Sequence, residues 1–295
     1  MDAYVPKNKS ASTFLDVRNV RYHVREWGDA GAPLLVMLHG WMDVSASFQF
    51  LVDELVSDWH VVAPDWRGYG LTGWSDAGCY WLPDYLGDLD ALLEHYAQSV
   101  PVNLVGHSMG GNMALMYSGI RPERIARLVN LEGLGMASDA PSKAPGRLAK
   151  WLAELRDPPT LTTYDSLEAV VRRLQKTNPR LPEDRARFLA QHWAEPSGDG
   201  RYRIQGDPAH KVINPYLYRA EEATACWSAI AAPTLWVMAR ESAYAQRMDA
   251  LAGYAERIAS IRDVRRVWIE DAGHMMHHDQ PREIAELIEA FMHRA

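Results

Sequence analysis

Residues 102–111 constrain the fold of this chain more than any other stretch. They read Val-Asn-Leu-Val-Gly-His-Ser-Met-Gly-Gly, so a short apolar run ends in the pattern G-x-S-x-G. A segment with helical composition, residues 112–117, follows at once. A strand that turns abruptly into a helix needs small residues, because the two backbones approach closely at the turn. The pattern therefore predicts a strand, a tight turn that exposes the Ser108 hydroxyl, and a helix that begins beneath it.

Apolar runs alternate with helical patterns along most of the chain. Runs typical of buried strands lie at 34–38, 59–63, 102–105, 125–132, 233–238 and 264–269, and helical spacing lies at 47–56, 81–96, 244–258 and 281–292. Strands that alternate with helices predict a mostly parallel sheet with helices on both faces. Ligands bind such sheets at the carboxyl ends of the strands. Four polar residues fall at or just past predicted strand ends: His39, Asp65, Ser108 and Glu132.

Two further features of the pattern bear on the layout of the molecule. Residues 133–224 interrupt the alternation, because they contain helical patterns at 148–155, 167–174 and 185–193 but no convincing buried strand. The same segment contains many prolines, which interrupt regular secondary structure.

In the helix predicted at 81–96, the acidic residues lie opposite the apolar side and are expected to face solvent: Asp84, Asp88 and Asp90.

Composition excludes several classes of protein. The 295 residues are 47% hydrophobic and 23% charged, which is typical of a globular protein with one large or two small domains. The net charge of −7 argues against nucleic acid or an anionic membrane as a partner. No apolar run approaches the roughly 20 residues of a membrane helix, and residues 1–13 lack the apolar core of a signal peptide. The two cysteines make no disulfide framework, so a cytoplasmic location is expected.

Three more motifs accompany G-x-S-x-G in the order typical of one family. Residues 35–41, Leu-Val-Met-Leu-His-Gly-Trp, resemble the His-Gly segment before the oxyanion hole of α/β-hydrolases. Residues 61–70 resemble their Asp-x-Arg-Gly-x-Gly turn, and residues 271–274 resemble the Gly-His that carries their catalytic histidine. The resemblance implies an α/β-hydrolase fold with core parts at 1–132 and 225–295. Residues 133–224 resemble the helical cap that many members insert between these parts.

The resemblance also assigns catalytic roles. Ser108 would be the nucleophile, and His274 the base that a serine hydroxyl needs at neutral pH. The backbone N–H groups of Trp41 and Met109 would form the oxyanion hole. A bulky apolar surround is expected from four side chains: Trp41, Met109, Met136 and Met275.

The acid that orients His274 departs from the commonest family pattern. Most relatives carry an aspartate after the seventh strand, where this chain has Ser242. Glu132, at the tip of the sixth strand, is the predicted acid, as in haloalkane dehalogenases and some lipases. The chain differs from the dehalogenases because its nucleophile is a serine where theirs is an aspartate. Glu241 is the alternative acid, and two aspartates are weaker candidates: Asp43 and Asp65.

Neither a metal nor a cofactor is expected. His274, His277 and His278 could suggest a metal by their spacing, but no cysteine or third-ligand pattern accompanies them. We interpret His277 and His278 as packing residues near the final helix. His107 and His39 are expected to shape the serine turn and the oxyanion loop.

Together these residues predict a serine hydrolase of the carboxylesterase type. Its substrate would be a small-molecule ester with an apolar group, cleaved through an acyl-enzyme on the triad Ser108–His274–Glu132. Two other activities on the same triad stay open, namely hydrolysis of a carbon–carbon bond and perhydrolysis. A binding or receptor protein that retains the pocket is the non-enzymatic alternative.

Overall fold

The computed structural model describes residues 3–293 and contains an eight-stranded and a three-stranded sheet. Residues 1–2 and 294–295, at the outer ends of the predicted core parts, lie outside the described residues. The strands are β1 (Ala11–Val17), β2 (Val20–Trp27), β3 (Leu34–Leu38), β4 (His60–Pro64), β5 (Val102–His107), β6 (Ile125–Leu131), β7 (Thr163–Tyr164), β8 (Ala194–Pro196), β9 (Tyr202–Ile204), β10 (Thr234–Ala239) and β11 (Val264–Ile269). The helices are α1 (Gln49–Val52), α2 (Leu82–Ala97), α3 (Met109–Ile120), α4 (Ala144–Arg156), α5 (Leu167–Thr177), α6 (Glu183–Trp193), α7 (Ala220–Ser228), α8 (Ala243–Asp249), α9 (Tyr254–Ala259), α10 (Met276–Asp279) and α11 (Pro281–Met292). None of the helices within residues 3–293 combines the length and apolar composition needed to cross a membrane.

The large sheet has the strand order β1-β2-β4-β3-β5-β6-β10-β11. β2 pairs antiparallel with β1 and β4, and every neighbouring pair from β4 to β11 is parallel. This arrangement confirms the predicted fold class, a mostly parallel sheet flanked by helices. Because parallel strands share one direction, the carboxyl ends of β3, β5, β6, β10 and β11 meet at one edge.

Both faces of the sheet are buried, since successive side chains of a strand point to opposite sides. In β3, Val36 and Leu38 pack on one face together with α2, α3, α7, α8 and α9. Leu35 and Met37 pack on the other face together with α1, α10 and α11. The continuous apolar runs of the sequence follow from this burial on two sides.

The turn from β5 to α3 is as tight as the glycine pattern predicts. Ser108 has φ 52° and ψ −114°, a left-handed conformation that is uncommon for residues other than glycine. A Cβ on Gly106 would lie 2.5 Å from the carbonyl oxygen of Gly110. A Cβ on Gly110 would lie 2.2 Å from the carbonyl oxygen of Leu38. Only glycine at both positions lets β3, β5 and α3 come this close.

Two predicted helices are shorter in the structure. The pattern at 47–56 yields only a 3₁₀ turn and α1. The carboxylate of Asp53, the residue that follows α1, accepts hydrogen bonds from the backbone N–H groups of Lys7 and Asn8 at 3.1 and 2.8 Å. The pattern at 244–258 is divided into α8 and α9. Gly253, with φ 78°, is the N-cap residue immediately before the second of these helices.

Residues 133–224 contain α4, α5, α6 and a small sheet of order β7-β9-β8. The sequence pattern did not predict these strands. They are two or three residues long and only Ala194 is buried among them, so they lack the apolar run that indicates a buried strand. The predicted boundary at 224/225 falls inside α7, which packs through Trp227 into the core of the large sheet.

The expectation that the acidic side of α2 faces solvent is wrong for Asp88. Its carboxylate is fully buried and accepts hydrogen bonds from Arg67 and from the Tyr22 hydroxyl. Arg67 is itself 5% exposed, and a buried cation requires a paired anion. Helical spacing cannot reveal a partner that comes from another segment. Asp84 and Asp90 are partly exposed.

Candidate active site

Three side chains form a continuous hydrogen-bonded chain at the carboxyl edge of the large sheet. The Ser108 hydroxyl lies 2.9 Å from His274 Nε2, and His274 Nδ1 lies 2.6 Å from Glu132 Oε2. Ser108 lies between β5 and α3, Glu132 follows β6, and His274 lies in the loop between β11 and α10. Because a carboxylate only accepts hydrogen bonds, His274 donates from Nδ1 and leaves Nε2 free to accept from Ser108.

Glu132 is fully buried and held by three donors. Its Oε1 accepts the backbone N–H of Ala239 at 2.8 Å. Its Oε2 accepts the Ser242 hydroxyl at 2.8 Å as well as His274 Nδ1. Ser242 thus stands at the position where most relatives carry their acid, and here it contacts the acid that comes from the neighbouring strand. The same hydroxyl accepts the N–H of Ala245 and caps α8.

The role of Ser242 was missed by sequence reasoning. The available signal was a serine at the usual acid position together with a glutamate at the tip of β6. β6 and β10 are adjacent strands, so these two tips meet.

The other candidate acids have different partners. Glu241 pairs with Arg180 at the surface. The Asp65 carboxylate accepts a hydrogen bond from His23 Nδ1 at 2.7 Å and another from the backbone N–H of Ser45 at 2.6 Å. Burial alone would raise the pKa of Asp65, but the bond and positive charge of His23 hold it well below its usual value. Burial raises the pKa of Asp43 to about 7.

The predicted oxyanion residues flank Ser108. Met109 is the first residue of α3, and Trp41 follows Gly40, whose Cβ position would lie 3.2 Å from the Ser108 Cβ. His39 braces this loop, because Nδ1 donates to the Gly40 carbonyl at 2.8 Å and Nε2 accepts the N–H of Trp66 at 2.9 Å. Burial lowers the pKa of His39 to about 4, so it stays neutral.

The remaining histidines of this region are buried behind His274. His107 Nε2 donates to the backbone carbonyl of His274 at 2.8 Å. His278 Nε2 lies 2.7 Å from the Ser47 hydroxyl, and His277 packs against Phe48. Burial lowers the pKa of His107 and of His277 well below the usual value for histidine.

A cleft of about 400 Å³ opens beside His274. Three segments line it: Thr177, Asn178, Pro179 and Arg180; Glu241, Ser242, Ala243 and Tyr244; Gly273, His274 and Met275. Met275 therefore lies where an apolar surround was predicted, whereas the side chains of Trp41 and Met136 are 54% and 52% exposed. The ion pair of Arg180 and Glu241 makes the cleft more polar than the sequence suggested.

The family model of the alpha/beta hydrolase fold matches residues 33–281. A serine hydrolase-like protein of Danio rerio is 27% identical over 280 residues, which cover 90% of this chain and 83% of that protein. A 3-hydroxybutyrate-oligomer hydrolase of Cupriavidus necator is 28% identical over 281 residues, covering 91% of each protein. The thioesterase domain from the curacin biosynthetic pathway superposes with a TM-score of 0.84 at 22% identity, covering 96% of this chain and 100% of that domain, and shows the fold alone. With the family match spanning most of its length and the fold of that family in its structure, this chain belongs to the α/β-hydrolases.

Proposed function

We propose that this hydrolase cleaves carboxylic esters through a covalent acyl-enzyme on Ser108. The observation that carries the proposal is the hydrogen-bonded chain from Ser108 through His274 to Glu132, with distances of 2.9 and 2.6 Å. A hydroxyl, an imidazole and a carboxylate in this order are the parts of a serine-hydrolase triad. The left-handed backbone of Ser108 at the start of α3 adds support, because strained residues concentrate at functional sites.

In the first half of the reaction, Ser108 Oγ attacks the ester carbonyl while its proton passes to His274 Nε2. The π electrons of the carbonyl move onto its oxygen, and the backbone N–H groups of Trp41 and Met109 donate hydrogen bonds to the resulting oxyanion. Each such donor contributes roughly 3–4 kcal/mol in well-studied hydrolases. Glu132 stabilises the positive charge on His274 and keeps Nδ1 protonated.

The tetrahedral intermediate then collapses, and His274 gives its proton to the leaving alcohol. Water attacks the acyl-enzyme in the second half, with His274 again accepting the proton. Breakage of the bond to Ser108 Oγ, which regains its proton from His274, releases the carboxylic acid. Every proton therefore moves through one nitrogen, Nε2 of His274.

We infer that residues 133–224 act as a cap over this site. Thr177 to Arg180 of that segment line the cleft beside His274, which supports a part in substrate selection. Met275 and Tyr244 offer apolar surface there, in keeping with an ester that carries an apolar group. The named substrate of the Cupriavidus relative, a 3-hydroxybutyrate oligomer, is joined by ester bonds and supports the same class of reaction.

Replacing the nucleophile tests the mechanism. Ser108→Ala should abolish both labelling by a fluorophosphonate probe and turnover of p-nitrophenyl esters of graded chain length. Only the residual rate that binding and the oxyanion hole supply, about 10³–10⁴ over water, should remain. Ser228→Ala, at an exposed position of α7, is the matched control and should behave as wild type. Near-wild-type turnover by Ser108→Ala would refute the mechanism, and labelling without ester turnover would favour carbon–carbon hydrolysis or perhydrolysis.

A further inference from the structure

Three neighbouring residues behind the His274 loop each carry a buried polar atom without a hydrogen-bond partner among residues 3–293. The atoms are Asp43 Oδ2, His107 Nδ1 and His277 Nδ1. The same three residues can each bring one ligand atom, a carboxylate oxygen or an imidazole nitrogen, within 4.8 Å of the other two. The residues come from the loop after β3, the end of β5 and the short helix α10, so three separate parts of the chain contribute to the cluster.

The hydrogen bonds around the cluster show which of its unpartnered atoms are acceptors. His107 donates from Nε2 to the carbonyl of His274, so the Nδ1 of this neutral imidazole carries a lone pair. Asp43 Oδ2 is also an acceptor, while the other oxygen of Asp43 accepts the N–H of Val44 at 2.9 Å. The lone pair of His107 Nδ1 and the ionised carboxylate of Asp43 each need a donor or a cation, and a neutral His277 carries a single N–H that can satisfy only one of them.

We propose that Asp43, His107 and His277 bind a divalent transition-metal ion, with Zn²⁺ as the expected ion. Two imidazole nitrogens and one carboxylate oxygen form a ligand set that Zn²⁺ binds well, and a fourth position is left for water. Zinc–ligand bonds of about 2.0–2.2 Å place tetrahedral ligands roughly 3.4 Å apart. The side chains must therefore move together by up to about 1 Å, and Asp43, the least buried of the three, has the most freedom to do so.

This ligand set differs from the histidine pattern that the sequence displays. His274, His277 and His278 are close in sequence, but His274 bonds to Ser108 and Glu132, and His278 bonds to Ser47. Only His277 belongs to the proposed site. Its two partners come from distant segments, so spacing along the chain could not indicate them.

A consequence for catalysis rests on the proposed function. The imidazole rings of His107 and His274 lie 4.9 Å apart, and the ring of His277 lies 4.4 Å from that of His107. A divalent cation in the cluster opposes the positive charge that develops on His274 when Ser108 attacks. Bound Zn²⁺ therefore slows ester hydrolysis without contacting the substrate.

Metal binding can be measured without any substrate. Full-length protein dialysed against a chelator is titrated with ZnCl₂ by calorimetry, and with Co²⁺ by visible absorption. We expect one saturable site per chain, a Co²⁺ ligand-field spectrum and a raised Tm. Asp43→Asn and His277→Gln should each lower Zn²⁺ affinity at least tenfold. His95→Gln, which removes an exposed histidine of α2, should leave the affinity unchanged.

Two further arms make the result decisive. His274→Ala should still bind Zn²⁺, because the base is not a ligand of the proposed site. Circular dichroism checks that each variant is folded, and Asp43→Asn is the decisive variant because it is isosteric and only partly buried. Absence of saturable binding up to about 100 μM, as expected if water or a shared proton satisfies the cluster, overturns the proposal. Binding that survives Asp43→Asn and His277→Gln but is lost in His274→Ala also overturns it, and neither result bears on the esterase mechanism.

Discussion

Glu132 is fixed by hydrogen bonds from three donors in two segments, and its own backbone is left-handed with φ 53°. A non-glycine residue in this region costs roughly 1–2 kcal/mol. Ser108, at the tip of the adjacent strand, has the same kind of backbone with φ 52°. Two such residues at neighbouring strand ends indicate that the surrounding packing holds the site in a set geometry, which hydrolysis by preorganised groups requires.

Neutralising the acid should separate Glu132 from Glu241. Glu132→Gln removes the negative charge and presents an amide that can donate to His274, so the imidazole adopts the wrong tautomer. We expect kcat for a p-nitrophenyl ester to fall by about 10⁴, the scale seen when a triad acid is neutralised. Glu241→Gln changes an exposed residue and should leave kcat near wild type. Both variants are compared at matched Tm, and a large fall at Glu241 alone would contradict the assignment.

The sequence indicates residues whose surroundings are local, and it misses those that depend on a distant partner. Ser108 is indicated because strand, glycine turn and helix are consecutive in the chain. The role of Ser242 is not, since the carboxylate it contacts lies 110 positions away. The burial of Asp88 is not indicated for the same reason, because its paired cation, Arg67, belongs to the loop after β4.

At the scale of elements, α6 is attached to the loop that carries the proposed oxyanion donor. Trp193 ends α6, is 9% exposed, and donates its indole N–H to the carbonyl of Met42 at 2.7 Å. Met42 has φ 54° and directly follows Trp41. A helix of the 133–224 segment therefore helps to position a backbone N–H group that belongs to the core. Sequence spacing predicts α6 itself, but not this contact.

Trp193→Phe keeps the aromatic packing and removes only the hydrogen bond. We expect kcat to fall by roughly 10–100-fold, since displacement of a catalytic group by about 1 Å can cost 10². The loss of stability should stay near 1 kcal/mol, the usual net value of one hydrogen bond. Trp151→Phe in α4, whose indole nitrogen has no partner among the described residues, is the control and should retain kcat. Equal kcat values for the two variants would argue against the positioning role.

At the scale of the whole molecule, the 133–224 segment shares a hydrophobic core with the rest of the chain. Val44, Ala46 and Phe50 pack into one cluster with the apolar sides of α5 and α6. Polar contacts cross the same boundary, including Asn178 to Asp279 at 2.7 Å and Arg185 to the His278 carbonyl at 3.1 Å. The break in the sequence pattern at 133 therefore marks a change of architecture. It does not mark a separate hydrophobic core.

A shared core predicts that the whole chain unfolds in one cooperative transition. Leu189, in α6, is 4% exposed in this cluster, and Leu189→Ala should destabilise the protein by about 2–5 kcal/mol. The Tm should fall by roughly 4–10 °C, with near-UV and far-UV circular dichroism changing together and the urea m-value unchanged. Leu152→Ala, at a position of α4 that is 51% exposed, is the matched control and should change stability by less than about 0.5 kcal/mol. If Leu189→Ala instead divided the far-UV transition into an early step, with loss of the signal from α4, α5 and α6, and a later step at the wild-type midpoint, residues 133–224 would unfold as an independent unit. The shared core would then provide no coupling between residues 133–224 and the large sheet.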